Sequence, residues 1–305
     1  MQEITEASKI ILGTAQLGQT YGIANKSGKP SSDIAFEILK TAHDLGIDTI
    51  DTAPQSLYGE SEALIGNYLS KTKLSIKVIT KIPKFPGGNK FIDFLNSSLV
   101  QSISALRVKK IHGILMHNFD DFNRNRSQCL EFFRDIKMRG LVGITGISVY
   151  SSDEIMSCID EEGIDCFQAP FNIWDTKLLS SGTYDKLLKN GQRLFSRSIY
   201  LQGMLLLSNN ELMAKYPSAA EYHEKLAALS KIYGLPINKI AFCFVRDALK
   251  RSSMVVGAET PDQVKENVAL LKEPPLPKAL IMNIMETFKN MPAHIINPSL
   301  WRLNQ

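Results

Sequence analysis

The chain has 305 residues, 44% of them hydrophobic, and a formal net charge of +4. That length supplies one large core or two small ones, and its lysines and arginines are scattered without a long basic run, which speaks against nucleic acid or a membrane surface as partner. No apolar run reaches the roughly 20 residues that span a bilayer, the acidic opening "MQEITEASKI" does not read as a signal peptide, and Cys129, Cys158, Cys166 and Cys243 are spaced too widely for a metal site, so they read as reduced thiols of a cytoplasmic protein.

Two patterns then alternate along the chain. Short runs rich in β-branched residues predict strands at 9–15 ("KIILGTA"), 46–52 ("GIDTIDT"), 74–81 ("LSIKVITK") and 109–117 ("KKIHGILMH"). Four more follow at 141–148, 164–170 ("IDCFQAP"), 193–199 ("RLFSRSI") and 253–258 ("SMVVGA"). Amphipathic stretches lie between them. In "DIAFEILKTAHDLG", Ala35, Ile38, Leu39, Ala42 and Leu45 share one helical face and Gly46 closes the turn. "KFIDFLNSSLVQSISAL" repeats this with Phe91, Phe94, Leu95, Leu99, Ile103 and Leu106. Ser151 with Glu154, and Thr260 with Gln263, form capping boxes, and Pro261 takes the first helical position of the second.

Eight strand–helix units in a chain of this length predict a single (β/α)8 TIM barrel over residues 1–305. The rival, a doubly wound open sheet, normally carries G-x-G-x-x-G after its first strand; here Gly13, Gly18 and Gly22 lack that spacing. The segment 196–252 is longer than one unit needs and predicts an inserted loop with an extra helix, "AAEYHEKLAALSKIYG".

In such a barrel chemistry belongs at the C-terminal ends of the strands. Asp51, Lys81 and His117 end strands two, three and four, and Tyr58 lies in the loop after strand two. Each alone has an ordinary structural explanation, as cap, snorkelling amine, packed ring or core histidine. Together they form a device. A free tyrosine titrates near pH ~10; an ammonium held by a carboxylate would stabilise the phenolate and lower that value. Such a phenol can protonate an alkoxide forming on a carbonyl substrate, and a histidine N–H can orient the same oxygen. Hydride is what no side chain supplies and a nicotinamide cofactor does.

These landmarks resemble the aldo-keto reductase family, in the order "LGTAQLG", "IDTA" with "YGESEALIG", "VITK", "ILMHN", "GLVGITGISVY", "FQAPFN" and "VVGAETPDQVKEN". The wording "QAPFNIWDTKLL" looks like a bacterial, carbohydrate-related subgroup. The resemblance implies a barrel that binds NAD(P)H without a Rossmann motif, with Tyr58 as proton donor, Asp51 and Lys81 as its tuning pair and His117 as orienting residue. It also implies that Ser148 and Gln168 hold the nicotinamide carboxamide, that Gly13, Thr14 and Ala15 lie near the nicotinamide ribose, and that Ser198, Leu201, Gln202 and Gly203 cover the pyrophosphate. Gly257, Ala258, Glu259, Thr260, Gln263, Glu266 and Asn267 then form the adenosine site, where a helix N-terminus suits ribose oxygens or an anion. Substrate-facing positions are Leu57, Phe85, Asn118, Phe119, Trp174, Tyr200 and Trp301, a mixture suited to an aldehyde, ketone or sugar.

The chain departs from the family in four places. "PQSL" lengthens the path from Asp51 to Tyr58. Val149 follows Ser148 where many members have asparagine. Arg197 stands where an aromatic ring often stacks on the nicotinamide; it can stack too, and would then repel the oxidised cation, or bind an anionic substrate group, or pair with a neighbouring loop. Glu259, Thr260 and Gln263 replace the basic residues that relatives offer to a 2′-phosphate. The family implies NADP(H), whereas Glu259 and Thr260 leave room for NAD(H), and dual use is the expectation. Two other readings stay open: a sugar dehydrogenase running oxidatively, and a non-catalytic subunit that senses the cofactor's redox state. Monomer and homo-oligomer are equally compatible with the sequence, and no metal is expected.

Overall fold

The computed structural model describes residues 9–303; the acidic N-terminal stretch up to residue 8 lies outside the described residues. Eight strands close into one parallel barrel in chain order: β1 (Ile10–Gly13), β2 (Thr49–Asp51), β3 (Lys77–Ile82), β4 (Ile111–Met116), β5 (Val142–Ser148), β6 (Cys166–Pro170), β7 (Arg193–Arg197) and β8 (Ser253–Gly257). Each falls inside the corresponding predicted run except at Ile82, one residue beyond. The closing helices are α1 (Ser32–Asp44), α2 (Ser61–Thr72), α3 (Phe91–Leu106), α4 (Arg126–Met138), α5 (Ser152–Met156) and α6 (Thr183–Lys189). After β7 come a 3-10 segment (Leu201–Leu206), a short helix (Asn209–Lys215), α7 (Pro217–Tyr233) and α8 (Ile237–Ala248), more helix than the expected loop and single insertion. α9 (Pro261–Leu271) and α10 (Lys278–Thr287) follow β8. Among the described residues no single helix is long and apolar enough to cross a membrane.

The amphipathic pattern places α1 as expected: Ala35, Ile38, Leu39 and Ala42 are buried. On α3 the buried face is rotated, with Ser98 and Ser102 inside while Phe94 and Ile103 are half-buried. Both capping residues act, but the reciprocal bond falls one residue early. Glu154 accepts from the Tyr150 N–H, and Gln263 from the Glu259 N–H, rather than from the N-cap residue itself.

The barrel has two storeys. Ile11, Ile79, Leu115, Ile144, Cys166 and Phe195, with Val255 half-buried against them, form a plug separate from the larger core between strands and helices. Side chains two apart on a strand share a face. Two residues beyond the plug positions stand Gly13, Lys81, His117, Gln168, Arg197 and Gly257. Register levels this upper ring: Gly13 pairs with Asp51 and with Gly257, and Ser148 with Gln168. An apolar floor thus carries a polar mouth, and the polar residues sit there because the plug residues fix which parity of each strand points inward.

Candidate active site

Asp51 and Lys81 form the centre. The Lys81 ammonium donates to Asp51 Oδ1 at 2.9 Å, Asp51 Oδ2 at 2.8 Å and the Thr52 carbonyl at 2.8 Å. Both side chains are buried, 1% and 2% exposed. The Gln168 Nε2 adds a 2.7 Å bond to Asp51 Oδ1. The backbone here is anchored by hydroxyls: Thr14 donates to the Asp51 carbonyl at 2.9 Å, and Ser61 donates to the Thr14 Oγ1 at 2.8 Å.

Tyr58 ends a short helix, Gln55–Tyr58, on the loop after β2. The added residues of "PQSL" form that helical turn, so the ring still reaches the mouth. Gly59 turns the chain with φ +56°, and a Cβ there would collide with the Gly18 carbonyl; a Cβ on Gly18 would in turn collide with the Tyr58 carbonyl. Two loops therefore meet backbone to backbone, tied by the Glu60 N–H to the Gly18 carbonyl at 3.3 Å and by the Gln19 Nε2 to the Leu57 carbonyl at 3.0 Å.

One expectation is corrected. The Lys81 nitrogen lies over the face of the Tyr58 ring, 4.9 Å from its centroid. An ammonium has three protons, and Asp51 and Thr52 take them. The phenol is not made acidic: burial pushes its pKa up, the Asp51 charge adds to this, and the Arg197 charge opposes it. Tyr58 is a phenol throughout the physiological range. Burial also pulls Lys81 down, with the Asp51 carboxylate opposing. His117 is lowered to about 4 by burial and by the Lys81 and Arg197 charges, so it is neutral at pH 7.

Asp51 and Tyr58 open into an elongated cavity of about 300 Å³. Gly13, Thr14, Ala15, Gln168, Arg197, Ser198, Gln202 and Gly203 line it near the mouth and the 3-10 segment, and Gly257, Glu259, Gln263, Glu266 and Asn267 at the β8–α9 end. Lys81, Ser148, Leu201 and Ala258 are buried behind this lining, and Thr260 caps α9 through the Gln263 N–H. Ser198, Leu201 and Gln202 all have positive φ (59°, 49° and 54°), a run of bent backbone bordering the cavity.

The substrate-facing expectations fare differently. Trp174 is 1% exposed, packed between Tyr222 and Phe288, and is not among the lining residues. Trp301 is 8% exposed against Tyr216 and donates to the Ile295 carbonyl. Both are core residues because a large ring finds more apolar contact under the helices than at a polar mouth. Tyr200 lines the cavity but at the α9 side, its hydroxyl 3.4 Å from Asn267 Oδ1. Phe85 packs on Phe91 and Phe94, Asn118 caps the helix Phe119–Arg124, and Phe119 packs on Phe122; these three and Leu57 are half-buried outside the lining.

Sequence reasoning missed Gln16, Tyr21, Asn25 and Asn238, which line the cavity. Tyr21 carries a signal: "TYG" after β1 mirrors "LYG" after β2, and the two rings lie 6.5 Å apart. Among the described residues no cluster of histidine, cysteine or acidic side chains could hold a metal ion.

A closed parallel barrel whose polar mouth runs on into a cleft reaching the start of α9 has the architecture of a barrel enzyme, with its chemistry at the C-terminal ends of the strands. The chain belongs to the Aldo/keto reductase family, whose family model matches residues 9–287, and it is an NAD(P)-dependent oxidoreductase acting on carbonyl chemistry. It is 23% identical to an L-galactose dehydrogenase of Arabidopsis thaliana, over 88% of this chain and 85% of that protein. It is 24% identical to an NADH-specific methylglyoxal reductase of Escherichia coli, over 87% and 90%. An aldo-keto reductase of Bacillus halodurans, solved in its holo form, superposes with a TM-score of 0.73 at 20% identity, covering 96% of this chain and 95% of that one.

Proposed function

We propose that this chain reduces the carbonyl group of a small aldehyde, ketone or sugar, using NADH at least as well as NADPH, with Tyr58 as proton donor. The observation that carries the reading is the buried Lys81–Asp51 pair directly behind the face of Tyr58, in the cavity that runs on to α9.

The lining suits a dinucleotide. Gly257 lines the cleft with bare backbone beside the Gln16 amide, and Glu259, Gln263 and Asn267 offer oxygen and amide partners to ribose hydroxyls. When bound, the nicotinamide supplies hydride. The protein's part is protonic and electrostatic. Tyr58 arrives protonated, as a donor must. His117 stands in the upper ring but outside the cavity lining; neutral at pH 7, it would offer its ring N–H to a carbonyl oxygen held beside Tyr58. The phenolate left after transfer faces the Arg197 charge, which offsets part of the rise that burial and Asp51 impose on the phenol's pKa. Lys81 spends its protons on Asp51 and Thr52 and fixes that carboxylate behind the ring.

The coenzyme reading rests on charge. Arg197, at the mouth, is the one lysine or arginine among the lining residues, whereas Glu259 and Glu266 line the other end. A 2′-phosphate there would meet carboxylates, and a 2′-hydroxyl would meet acceptors. The names of the Arabidopsis and Escherichia coli relatives support a small, oxygen-rich substrate, and the second supports NADH.

Tyr58→Phe tests the reading. Turnover with short aldoses and dicarbonyls, followed as nucleotide oxidation, should fall by at least about 100-fold while NADH still binds; unchanged turnover would remove Tyr58 from the mechanism. A ratio of kcat/KM values favouring NADPH by about threefold or more would overturn the coenzyme assignment.

A further inference from the structure

Arg197 ends β7 and points into the upper ring. Its Nη2 donates to the Val149 carbonyl at 3.1 Å, and its Nη1 lies 3.5 Å from the Ser198 hydroxyl. The guanidinium carbon sits 4.4 Å from the centroid of the Tyr150 ring, over its face. The residue is half-buried and lines the same cavity as Tyr58 and Gln168. Among the described residues no carboxylate comes within ion-pair distance of it; Asp175, the acid whose ionisation it favours, lies beyond that reach. A structural ion pair with a neighbouring loop is therefore absent among the described residues, although the loop after β5 holds the guanidinium through the Val149 carbonyl and the Tyr150 ring.

The surrounding charges leave Arg197 uncompensated. Lys81 is matched by Asp51, and His117 is neutral at pH 7. The mouth consequently carries one net positive charge, held on a rigid planar group that has an aromatic ring on one side and the cavity on another. A planar cation stacks well on a neutral ring and poorly on a cationic one.

We infer that Arg197 is a specificity-determining residue for the redox state of the coenzyme: its guanidinium, backed by Tyr150, forms a platform that accepts the neutral reduced nicotinamide and repels the oxidised cation. The inference rests on the proposed function. Hydride and the Tyr58 proton must go to adjacent atoms of one carbonyl group, so the nicotinamide ring has to lie at the Tyr58 end of the cavity, where Arg197 is. The ring is neutral with hydride and positive without it; the rest of the dinucleotide is the same in both. Discrimination therefore measures the local charge. It keeps the enzyme loaded with NADH and speeds release of the spent coenzyme, while raising the potential of the bound couple and leaving the overall equilibrium unchanged.

The test measures dissociation constants for NADH and NAD⁺ by calorimetry, in the wild-type enzyme and in Arg197→Met and Arg197→Gln. The glutamine variant keeps a donor for the Val149 carbonyl and removes the charge, so it covers the case in which methionine fails to fold. The wild type should bind NADH about tenfold or more tightly than NAD⁺, and both folded variants should lose about tenfold of that ratio, mainly through tighter NAD⁺ binding. For a two-electron couple that loss shifts the bound potential by about 30 mV. A ratio within about twofold of wild type in the variants would overturn the role of Arg197 and leave the proposed function standing. Failure of the wild type to bind either nucleotide would overturn the proposed function itself.

Discussion

Protonation of His117 offers a quantitative check on the electrostatics of the mouth. An ordinary histidine titrates near 6.5, whereas burial and the cations Lys81 and Arg197 hold His117 down to about 4. In the window between these values the unfolded chain binds a proton that the native protein refuses, so stability rises with pH through the window and is lost as pH falls. Below about 4 the folded form takes the proton too and the loss stops growing. The whole gap corresponds to about 3 kcal/mol at roughly 1.4 kcal/mol per pH unit, and about 2 kcal/mol of it falls between pH 7 and pH 5. Urea unfolding of wild type and His117→Asn at those two pH values isolates the contribution, because His112 and His223, also lowered by burial, remain in both proteins. The wild type should lose about 2 kcal/mol more than the variant on acidification. Equal losses would mean that His117 is solvated and that the mouth is less positive than its geometry implies. The same reasoning requires that carbonyl reduction show no inflection near pH ~6.5 from this residue.

Two further outcomes follow from packing and charge. Gly18→Ala places a methyl group against the Tyr58 carbonyl and the Ser61 N–H; the loops must part, costing about 1–3 kcal/mol in chemical unfolding, and turnover should fall because Tyr58 moves. Glu259→Arg should shift the ratio of kcat/KM values towards NADPH by about tenfold or more, and a steady-state comparison of the two coenzymes showing no shift would place the 2′-position away from residue 259.

Much of the architecture was legible because barrel strands obey a strong local rule. β-branched runs such as "KVITKI" and "IHGILM" can satisfy burial only between a plug and a helix layer, so each strand is legible to within a few residues at either end. The same alternation made Asp51, Lys81 and His117 readable as inward-facing at the mouth. The direction in which Lys81 spends its protons was not readable. It depends on the path of the Thr52 carbonyl and on two carboxylate oxygens brought within 2.9 Å, which strand order does not specify. Nor could residue type separate Trp174 and Trp301 from pocket aromatics, since a tryptophan suits both environments and only the packing of Tyr222, Phe288 and Tyr216 decides. Tyr21 is not marked by the glycine spacing of the loop after β1; only the likeness of "TYG" to the "LYG" of the loop after β2 points to it.

The apolar plug beneath the polar ring makes the barrel a cul-de-sac. Nothing that reacts beside Tyr58 can leave through the floor, so reactants and products share one doorway at the top. Each turnover then includes traffic past the bent backbone at Ser198–Gln202, and the pace of the enzyme is set there as readily as by the chemistry.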